Sequence, residues 1–375
     1  MHNETEVRHG QRVEGSPAAT ISAGEQDAVD RGKALDADAA TRDAANRWAA
    51  EVLAETVPEC SRHPFELDLL RSGAKRLAIV HADAAPLVLK QYGDDRGAWT
   101  AQWLRRLADA GLTPPATDAV TLPRGWSERH RTLVTEIAPG QSWSEWTLAG
   151  PARGTGAAIA AARWLVRLQS LTVDLPVRTD HRAEREMHTS TTLLADRFPQ
   201  HAERLRALEH DVAHRLYAAP GEAAAVPLVA SHGDLHPNNL HLELDEATVT
   251  ALELEAPTVT ALDLDTAGLR RPSYDVGYAI AQLLILSWLR TGSLLTGARS
   301  ASAFWGTWRA SGTDADAVPA EIARALIQSL HFELITYATG RSELIEVWLT
   351  IAEVALAGDL FEVLHSFASD REVVR

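Results

Sequence analysis

Strand-like patterns occupy only two short parts of this chain, and most of the remainder has helical periodicity. Residues 76–81 (RLAIVH) and 86–92 (PLVLKQY) are β-rich runs on either side of a turn-like ADAA, which predicts a hairpin. Downstream of Pro139 and Gly140, helical patterns dominate and are interrupted by one β-rich segment at 240–264. This segregation predicts an α+β chain with a small, mostly β first part and a larger helical second part.

Further elements are expected around these segments. Residues 1–37 are polar and lack sustained apolar periodicity, so we expect a disordered tail, followed by a first helix from about residue 38. Apolar runs lie near 117–122 and 132–137. Helical patterns are found at 97–110, 156–171, 181–197, 202–218, 274–290 and most of 319–367.

The composition and the N-terminus argue against a membrane-spanning, a secreted or a disulfide-stabilised protein. With 46% hydrophobic and 23% charged residues among 375, the chain resembles an ordinary soluble protein. The longest nearly apolar stretch, 276–289, is too short to cross a bilayer of about 30 Å and indicates a buried core helix. The N-terminus has no apolar signal segment, and the single Cys60 cannot form an internal disulfide. We therefore expect a cytoplasmic protein with no membrane partner.

The charge of the chain limits its partners. Its 51 acidic and 36 basic residues give a formal net charge of −15, which opposes binding to nucleic acid and favours cationic ligands. The acidity can also serve solubility alone. Three of the basic residues are lysines, namely Lys33, Lys75 and Lys90. Because Lys90 lies inside a predicted strand, it is a candidate binding residue.

The segment SHGDLHPNNL, at residues 231–240, is the densest group of chemically active side chains. It contains two His, one Asp and two Asn around a Gly and a Pro, so it cannot lie inside a helix. Loops that position side chains at the end of a rigid element commonly carry catalysis. The carboxylate of Asp234 suits a hydroxyl nucleophile, and the amide of Asn239 suits a hard cation such as Mg²⁺.

A second group of carboxylates follows in ALDLDTAGLRRPSYDVGYA, at residues 261–279. Asp263 and Asp265 alternate at the end of an apolar run, which places both on the same face of a strand. Asp275 follows after a turn that contains a glycine. Paired carboxylates at a strand end can hold one or two divalent ions, whose charge offsets that of bound phosphates.

These two motifs, in this order, resemble those of the aminoglycoside phosphotransferase and choline kinase-like superfamily. In that family, HGD-x-x-x-x-N precedes a strand ending in Asp, and here a Pro and an Asp follow nine and twelve residues later, as the family pattern requires. The resemblance covers about residues 77–279. It implies an α+β, protein-kinase-like two-lobed fold, with a small β-rich N-lobe at 38–138 and a larger helical C-lobe at 139–375. It also implies ATP and Mg²⁺ as cofactors.

The resemblance implies a role for each matching residue. Asp234 is similar to the catalytic base that orients or deprotonates the acceptor hydroxyl. His232 belongs to the same catalytic motif, and His232 and Asp275 are similar to residues that support it. Lys90 is similar to the strand lysine that pairs ATP phosphates, a task that suits a compact ammonium. The remaining cofactor contacts and metal ligands are Glu136 and Ile137 beside adenine, and Asn239, Asp263 and Asp265 around Mg²⁺.

The spacing between the two motifs departs from the family pattern. Asn239 and Asp263 are 24 positions apart, which is longer than usual. A ten-residue repeat, TVTALELE followed by TVTALDLD, accounts for the excess and predicts successive strands. Glu253 in the first copy is therefore a rival metal ligand. We favour Asp263, because only from Asp263 does the spacing to Pro272 and Asp275 follow.

The partner of Lys90 is a second departure. The family carries a glutamate on the next helix, but GAWTAQWLRRLADA has none, and Gln102 is the nearest polar substitute. The loop expected before the first strand contains Gly73 alone instead of a glycine-rich run.

The expected function is ATP-dependent phosphorylation of a small-molecule hydroxyl, with an aminoglycoside-like amino sugar as the acceptor. The net charge favours a cationic acceptor, although the acidic side chains of the helical part can equally be solvated. Other acceptors remain open: a choline, homoserine or methylthioribose-like alcohol, or a biosynthetic intermediate. A nucleotide-binding pseudokinase is the alternative outside catalysis. The sequence leaves the oligomeric state open. The candidate acidic recognition surface comprises Asp314, Asp316, Glu321 and Glu333.

Overall fold

The computed structural model describes eight stretches of the chain: 38–73, 75–82, 85–114, 116–178, 180–217, 226–243, 257–310 and 314–369. The predicted disordered tail at 1–37 lies outside these residues. The first copy of the repeat, with Glu253, also lies outside them.

A five-stranded antiparallel sheet forms the first part of the molecule, in the order β1-β2-β3-β6-β5. The predicted hairpin is confirmed, since β2 and β3 pair with Ala78 opposite Leu89. The sequence analysis missed β1 and β5, although ELDLLR alternates as a strand should. Gly73 consequently lies between the first two strands. The strands are β1 (Glu66–Arg71), β2 (Leu77–His81), β3 (Leu87–Gln91), β5 (Pro123–Ser127) and β6 (Thr132–Glu136).

Helices cover both faces of this sheet. Helix α1 (Ala39–Thr56) packs Trp48 and Leu53 against one face, and a single turn, α2 (Pro58–Ser61), follows it. Helix α3 (Arg96–Asp109) places Trp103 in the larger core that extends into the helical part. The sheet is therefore fixed to the rest of the molecule through α3.

The second part is mostly helical, as predicted. The predicted core helix is confirmed by α8, whose Val276, Ile280 and Leu284 are at most 1% exposed. Helices α4 and α9 were not predicted. No helix among the described residues is both long and apolar enough to cross a membrane. The helices are α4 (Trp143–Leu148), α5 (Pro151–Gln169), α6 (Asp180–Arg197), α7 (Ala202–Tyr217), α8 (Ser273–Thr291), α9 (Leu295–Arg309), α10 (Val318–His331), α11 (Leu344–Ala357) and α12 (Leu360–Ser369).

Two small sheets complete the fold, and the four-stranded one joins the two parts through β4. A four-stranded sheet has the order β4-β10-β9-β7, and a two-stranded sheet pairs β11 with β8. Strands β9 and β10 are antiparallel, with Leu240 opposite Ala261. The extra residues between the two sequence motifs therefore fall between the paired ends of β9 and β10. The strands are β4 (Asp118–Val120), β7 (Gln141–Ser142), β8 (Val229–Ser231), β9 (Leu240–Glu243), β10 (Thr258–Ala261) and β11 (Gly268–Arg270).

Candidate active site

The loop between β8 and β9 carries the SHGDLHPNNL motif, and Asp275 of α8 holds its beginning in place. The carboxylate of Asp275, which is 1% exposed, accepts hydrogen bonds from the backbone N–H of His232 (2.7 Å) and of Gly233 (2.8 Å). Gly233 has φ +83°, and a Cβ there would lie 2.4 Å from the carbonyl oxygen of Thr266. A glycine is therefore required at this position. Asp275 therefore links this loop to α8.

We expect Asp275→Ala to destabilise the protein by about 1–3 kcal/mol for each buried N–H that loses its acceptor. Turnover should fall as well, because the loop carrying Asp234 loses its anchor. The free energy of unfolding from denaturant titration measures the first effect. Asp316→Ala removes an exposed acid and is the control, with an expected change within about 0.5 kcal/mol. Equal stability of the two variants would contradict the anchoring role.

His232 ties this loop to the segment after β10. Its ring is fully buried, and its Nε2 lies 2.9 Å from the carbonyl oxygen of Leu262. Its Nδ1 accepts a hydrogen bond from the backbone N–H of Asp234 at 3.3 Å, which places the proton on Nε2. Because both ring nitrogens are used inside the protein, the geometry makes His232 a positioning residue.

Asp234 is partly exposed and contacts a tyrosine that the sequence analysis did not identify. Tyr278 of α8 forms a side-chain hydrogen bond with the Asp234 carboxylate. Burial, followed by the charge of Asp234, raises the pKa of Tyr278 well above its ordinary value. The hydroxyl therefore stays protonated and donates to Asp234. Tyr278 follows Asp275 by three residues on the same helix, so its spacing was an available signal.

Asn239 closes the loop and lies next to the second motif. Its side-chain nitrogen donates to the backbone oxygen of Asp234 at 2.9 Å, which leaves the side-chain oxygen for another partner. The backbone N–H of Leu262 donates to the carbonyl oxygen of Asn239 at 3.0 Å. Asn239 and Asp263 are therefore neighbours in space despite their long separation in sequence.

Lys90 of β3 joins the two carboxylates of the second motif. Its Nζ lies 2.5 Å from Oδ1 of Asp263 and 2.7 Å from Oδ2 of Asp265. Burial alone would lower the pKa of Lys90, but the two carboxylates outweigh it and hold that pKa well above its usual value. Burial also disfavours the charged form of Asp263. The charge and hydrogen bond of Lys90 together prevail, so the pKa of Asp263 is lowered.

The two aspartates are brought together differently from the prediction. Strand β10 ends at Ala261, and Asp263 has φ +58° in the left-handed region, so alternation along a strand does not place them. The prediction of a strand that ends at these carboxylates is therefore wrong. Both side chains reach Lys90 because the backbone turns at Asp263.

Two further residues hold Asp265, and the sequence analysis missed both. The hydroxyl of Tyr92 donates to Oδ1 of Asp265 at 2.7 Å, and Thr100 Oγ1 donates to the same oxygen at 3.2 Å. Burial raises the pKa of Asp265, and the neighbouring Asp263 adds to the increase. Helix α3 thus contributes Thr100, whereas Gln102, the substitute considered for the missing glutamate, is exposed.

Glu136 and Ile137 lie at a distance from this cluster. Glu136 ends β6 opposite Leu87, whereas Lys90 pairs with Leu133 three residues earlier on the same strand. The Glu136 carboxylate accepts a hydrogen bond from Arg124 at 3.1 Å. That side chain is engaged on the sheet, and the contact of Glu136 and Ile137 with adenine stays a prediction.

The acidic recognition surface predicted in the helical part is wrong for two of its four members. The carboxylate of Asp314, which is 7% exposed, pairs with Arg271 at 3.1 Å. Glu321 is 3% exposed and pairs with Arg324 at 2.5 Å. These charges are neutralised inside the protein. They are therefore poor ligands for a cationic acceptor.

The donor atoms of the site match the preference of a hard cation. In the described part of the chain, no three or more His, Cys, Asp and Glu side chains cluster as a metal site. Asp263 and Asp265 nevertheless converge on one cation, the ammonium of Lys90, and the backbone of Asn239 bonds to Leu262, the residue before Asp263. Oxygen donors of this kind suit Mg²⁺, which commonly takes one or two carboxylates together with substrate phosphates.

Solved structures share this fold at low sequence identity. A choline/ethanolamine kinase family protein from Mesorhizobium loti has a TM-score of 0.57 and 15% identity, covering 87% of this chain and 99% of its own. A spectinomycin phosphotransferase, solved with ADP and spectinomycin, has a TM-score of 0.52 and 11% identity, covering 86% and 98%. The GDP complex of aminoglycoside 2′-phosphotransferase-IIIa has a TM-score of 0.52 and 14% identity, covering 83% and 98%. These likenesses confirm the protein-kinase-like fold.

The family itself follows from sequence comparison. A search of curated proteins gives no match. The sequence profile of the phosphotransferase enzyme family (APH) matches residues 66–310, which is more than half of the 375 residues. This match includes both motifs and the strand with Lys90. The chain therefore belongs to the phosphotransferase enzyme family.

Proposed function

We propose that the protein transfers a phosphoryl group from ATP to a hydroxyl group of a small molecule, in a reaction that requires Mg²⁺. One observation carries the proposal: Lys90 converges on Asp263 and Asp265 directly beside the loop of Asp234 and Asn239. This arrangement brings a phosphate-binding cation, metal-binding oxygens and a base to one place. Phosphoryl transfer depends mainly on such positioning and charge neutralisation.

Each residue of the site has its own role in the proposed phosphoryl transfer. The ammonium of Lys90 holds phosphate oxygens, and Asp234 accepts a hydrogen bond from the acceptor hydroxyl. A bond forms between the acceptor oxygen and the γ-phosphorus, the bond to the ADP oxygen breaks, and the hydroxyl proton passes to Asp234. Tyr278 fixes the carboxylate of Asp234 during this step. Bound Mg²⁺ supplies charge neutralisation of the phosphates, and Asn239, Asp263 and Asp265 would hold it.

The similar structures support a nucleotide donor. Two of them were solved with ADP or GDP, and one of these also contains spectinomycin. The amino-sugar acceptor stays a prediction, because it rests on the resemblance and on the net charge of −15. The pseudokinase alternative rested on the missing glutamate of α3 and on the altered motif spacing. Lys90 pairs with Asp263 and Asp265 in place of that glutamate. The contact of Asn239 with Leu262 brings the two motifs together despite their spacing. Both observations argue against the pseudokinase.

A screen for acceptor-dependent ADP release tests the proposal. The protein is incubated with ATP and Mg²⁺ and with separate amino sugars, amino alcohols, hydroxy acids and nucleosides. We expect one class to stimulate ADP release and to gain one phosphoryl group by mass spectrometry. Omission of Mg²⁺ should abolish the signal. Intact nucleotide binding with no acceptor-stimulated release in any class would instead favour the pseudokinase.

A further inference from the structure

Two arginines lie side by side next to the candidate catalytic loop. Arg270 ends β11, and Arg178 belongs to the segment between α5 and α6. Val177 pairs with Leu269 in a parallel bridge, and the backbone N–H of Arg178 donates to the oxygen of Leu269 at 3.0 Å. The residues that follow a paired position on parallel strands point to the same face. Arg178 and Arg270 therefore present their side chains together.

The guanidinium of Arg270 rests against the loop that presents Asp234. A Cβ at Gly233 would lie 2.4 Å from Nη1 of Arg270. The Arg270 guanidinium also lies over the ring of Tyr274, 4.5 Å from its centroid. Tyr274 is one helical turn before Tyr278, the hydrogen-bond partner of Asp234. This places the positive charge of Arg270 beside the loop that carries Asp234.

Arg178 adds a second positive charge, which no carboxylate among the described side chains offsets. Its guanidinium lies 5.3 Å from the ring of Trp103 in α3. Burial, then the charges of Arg270 and Arg182, lower the pKa of Arg178. No described carboxylate lies within 4.0 Å of Arg178 or Arg270.

Two neighbouring arginines differ from Arg178 and Arg270, because each of them pairs with a carboxylate. Arg271, next in the chain after Arg270, pairs with Asp314. Arg324, which also lies over the ring of Tyr274 at 4.3 Å, pairs with Glu321. Arg178 and Arg270 thus differ from arginines that pair with a carboxylate inside the protein. Half-buried like charges side by side raise the energy of the protein unless an anion joins them.

We propose that Arg178 and Arg270 bind an anionic group, a carboxylate or a phosphate, on the molecule whose hydroxyl faces Asp234. This inference rests on the proposed function and narrows its acceptor to hydroxy acids and phosphorylated alcohols. Each guanidinium has five N–H donors and spends one on a backbone oxygen: Arg270 on Thr266 (2.8 Å), Arg178 on Ala267 (3.2 Å). The remaining donors match the paired oxygens of a carboxylate or phosphate.

The hydrogen bonds to Thr266 and Ala267 are also consistent with a simpler alternative. In that alternative, the two arginines only stabilise the segment after Asp265 and bind no anion. The two roles differ in anion binding. Calorimetry with inorganic phosphate and with acetate, at constant ionic strength, probes the site in protein saturated with Mg²⁺ and a non-hydrolysable ATP analogue. The analogue fills the nucleotide site, so a saturable response reports a second anion site. The phosphate and acetate titrations distinguish the two anionic groups.

We expect the double variant Arg178→Gln, Arg270→Gln to weaken this anion binding at least tenfold, with nucleotide binding retained. Arg309→Gln is the matched control, because Arg309 also lies over an aromatic ring, Trp305 at 5.7 Å, but is exposed on α9. It should bind the anions like the wild type. Arg270→Lys keeps the charge and should lose less affinity than Arg270→Gln. Unchanged anion binding in the double variant, or none in the wild type, overturns the inference.

Matched acceptors give a second measurement. Glucosamine, glucose and glucuronate differ in charge on one scaffold, as do ethanolamine and serine. We expect the carboxylate-bearing members to be phosphorylated preferentially, and Arg270→Gln to raise their KM at least tenfold with a smaller change in kcat. Preferential transfer to glucosamine or ethanolamine overturns the inference and leaves the proposed function standing. If no acceptor in this set stimulates ADP release, the anion calorimetry still tests the inference. The wider acceptor screen then tests the proposed function separately.

Discussion

Replacement of Asp234 by alanine is expected to lower turnover by about 10²–10⁴-fold while the protein keeps its fold, which is the usual loss for a positioned base. The backbone of Asp234, not its carboxylate, makes the loop contacts with His232 and Asn239. Truncation of the side chain should therefore leave the loop in place. The contact with Tyr278 is the one that disappears.

The kinetic pattern distinguishes a base from a binding residue. With Asp234→Ala we expect kcat to fall by most of this factor and KM for ATP to change little, since Lys90 and the metal-binding oxygens remain. Tyr278→Phe is a useful companion, because it removes the donor to Asp234 and leaves the carboxylate. It should cost less than Asp234→Ala. Full turnover in Asp234→Ala would refute the assignment of the base.

Replacement of Asp263 by alanine should have a comparable effect through a different property. We expect a loss of about 10²–10³-fold in kcat/KM for ATP, as seen when a fixed electrostatic contact is removed from an active site. Of its two present carboxylate partners, Lys90 would keep only Asp265. Nucleotide binding measured by fluorescence should lose its dependence on Mg²⁺.

Glu253→Ala is the matched comparison for Asp263, because the two acids hold equivalent positions in the ten-residue repeat. Asp263 contacts Lys90 at 2.5 Å, so we expect the Glu253 variant to bind Mg²⁺-nucleotide like the wild type. If instead Glu253→Ala loses the Mg²⁺ response and Asp263→Ala keeps it, the assigned register is wrong.

The parts of the fold that sequence predicted are those set by local patterns. The hairpin of β2 and β3 and the buried helix α8 follow from periodicities within one segment. Strand β1 was missed although it alternates, and β5 contains Pro123 and Gly125, which weaken a strand pattern. Short helices such as α4 offer too few turns for a periodicity to be visible.

The composition of the site was predictable, but its internal contacts were not. Asp234 and Asn239 could be identified because both lie within six consecutive sequence positions. The contact between Lys90 and Asp263 joins residues 173 positions apart, and its geometry depends on the left-handed backbone of Asp263. The burial of Asp314 with Arg271 likewise depends on how two distant segments pack.

The paired ends of β9 and β10 have a consequence for how this chain can vary. Leu240 and Ala261 face each other, and Leu262 bonds to Asn239. The pairing of the two strands therefore sets the distance between Asn239 and Asp263, and the number of residues between them does not. Segments of quite different length can then be inserted or deleted beyond Glu243 at little entropic cost. Residues can therefore be duplicated at this point while Asn239 and Asp263 stay together.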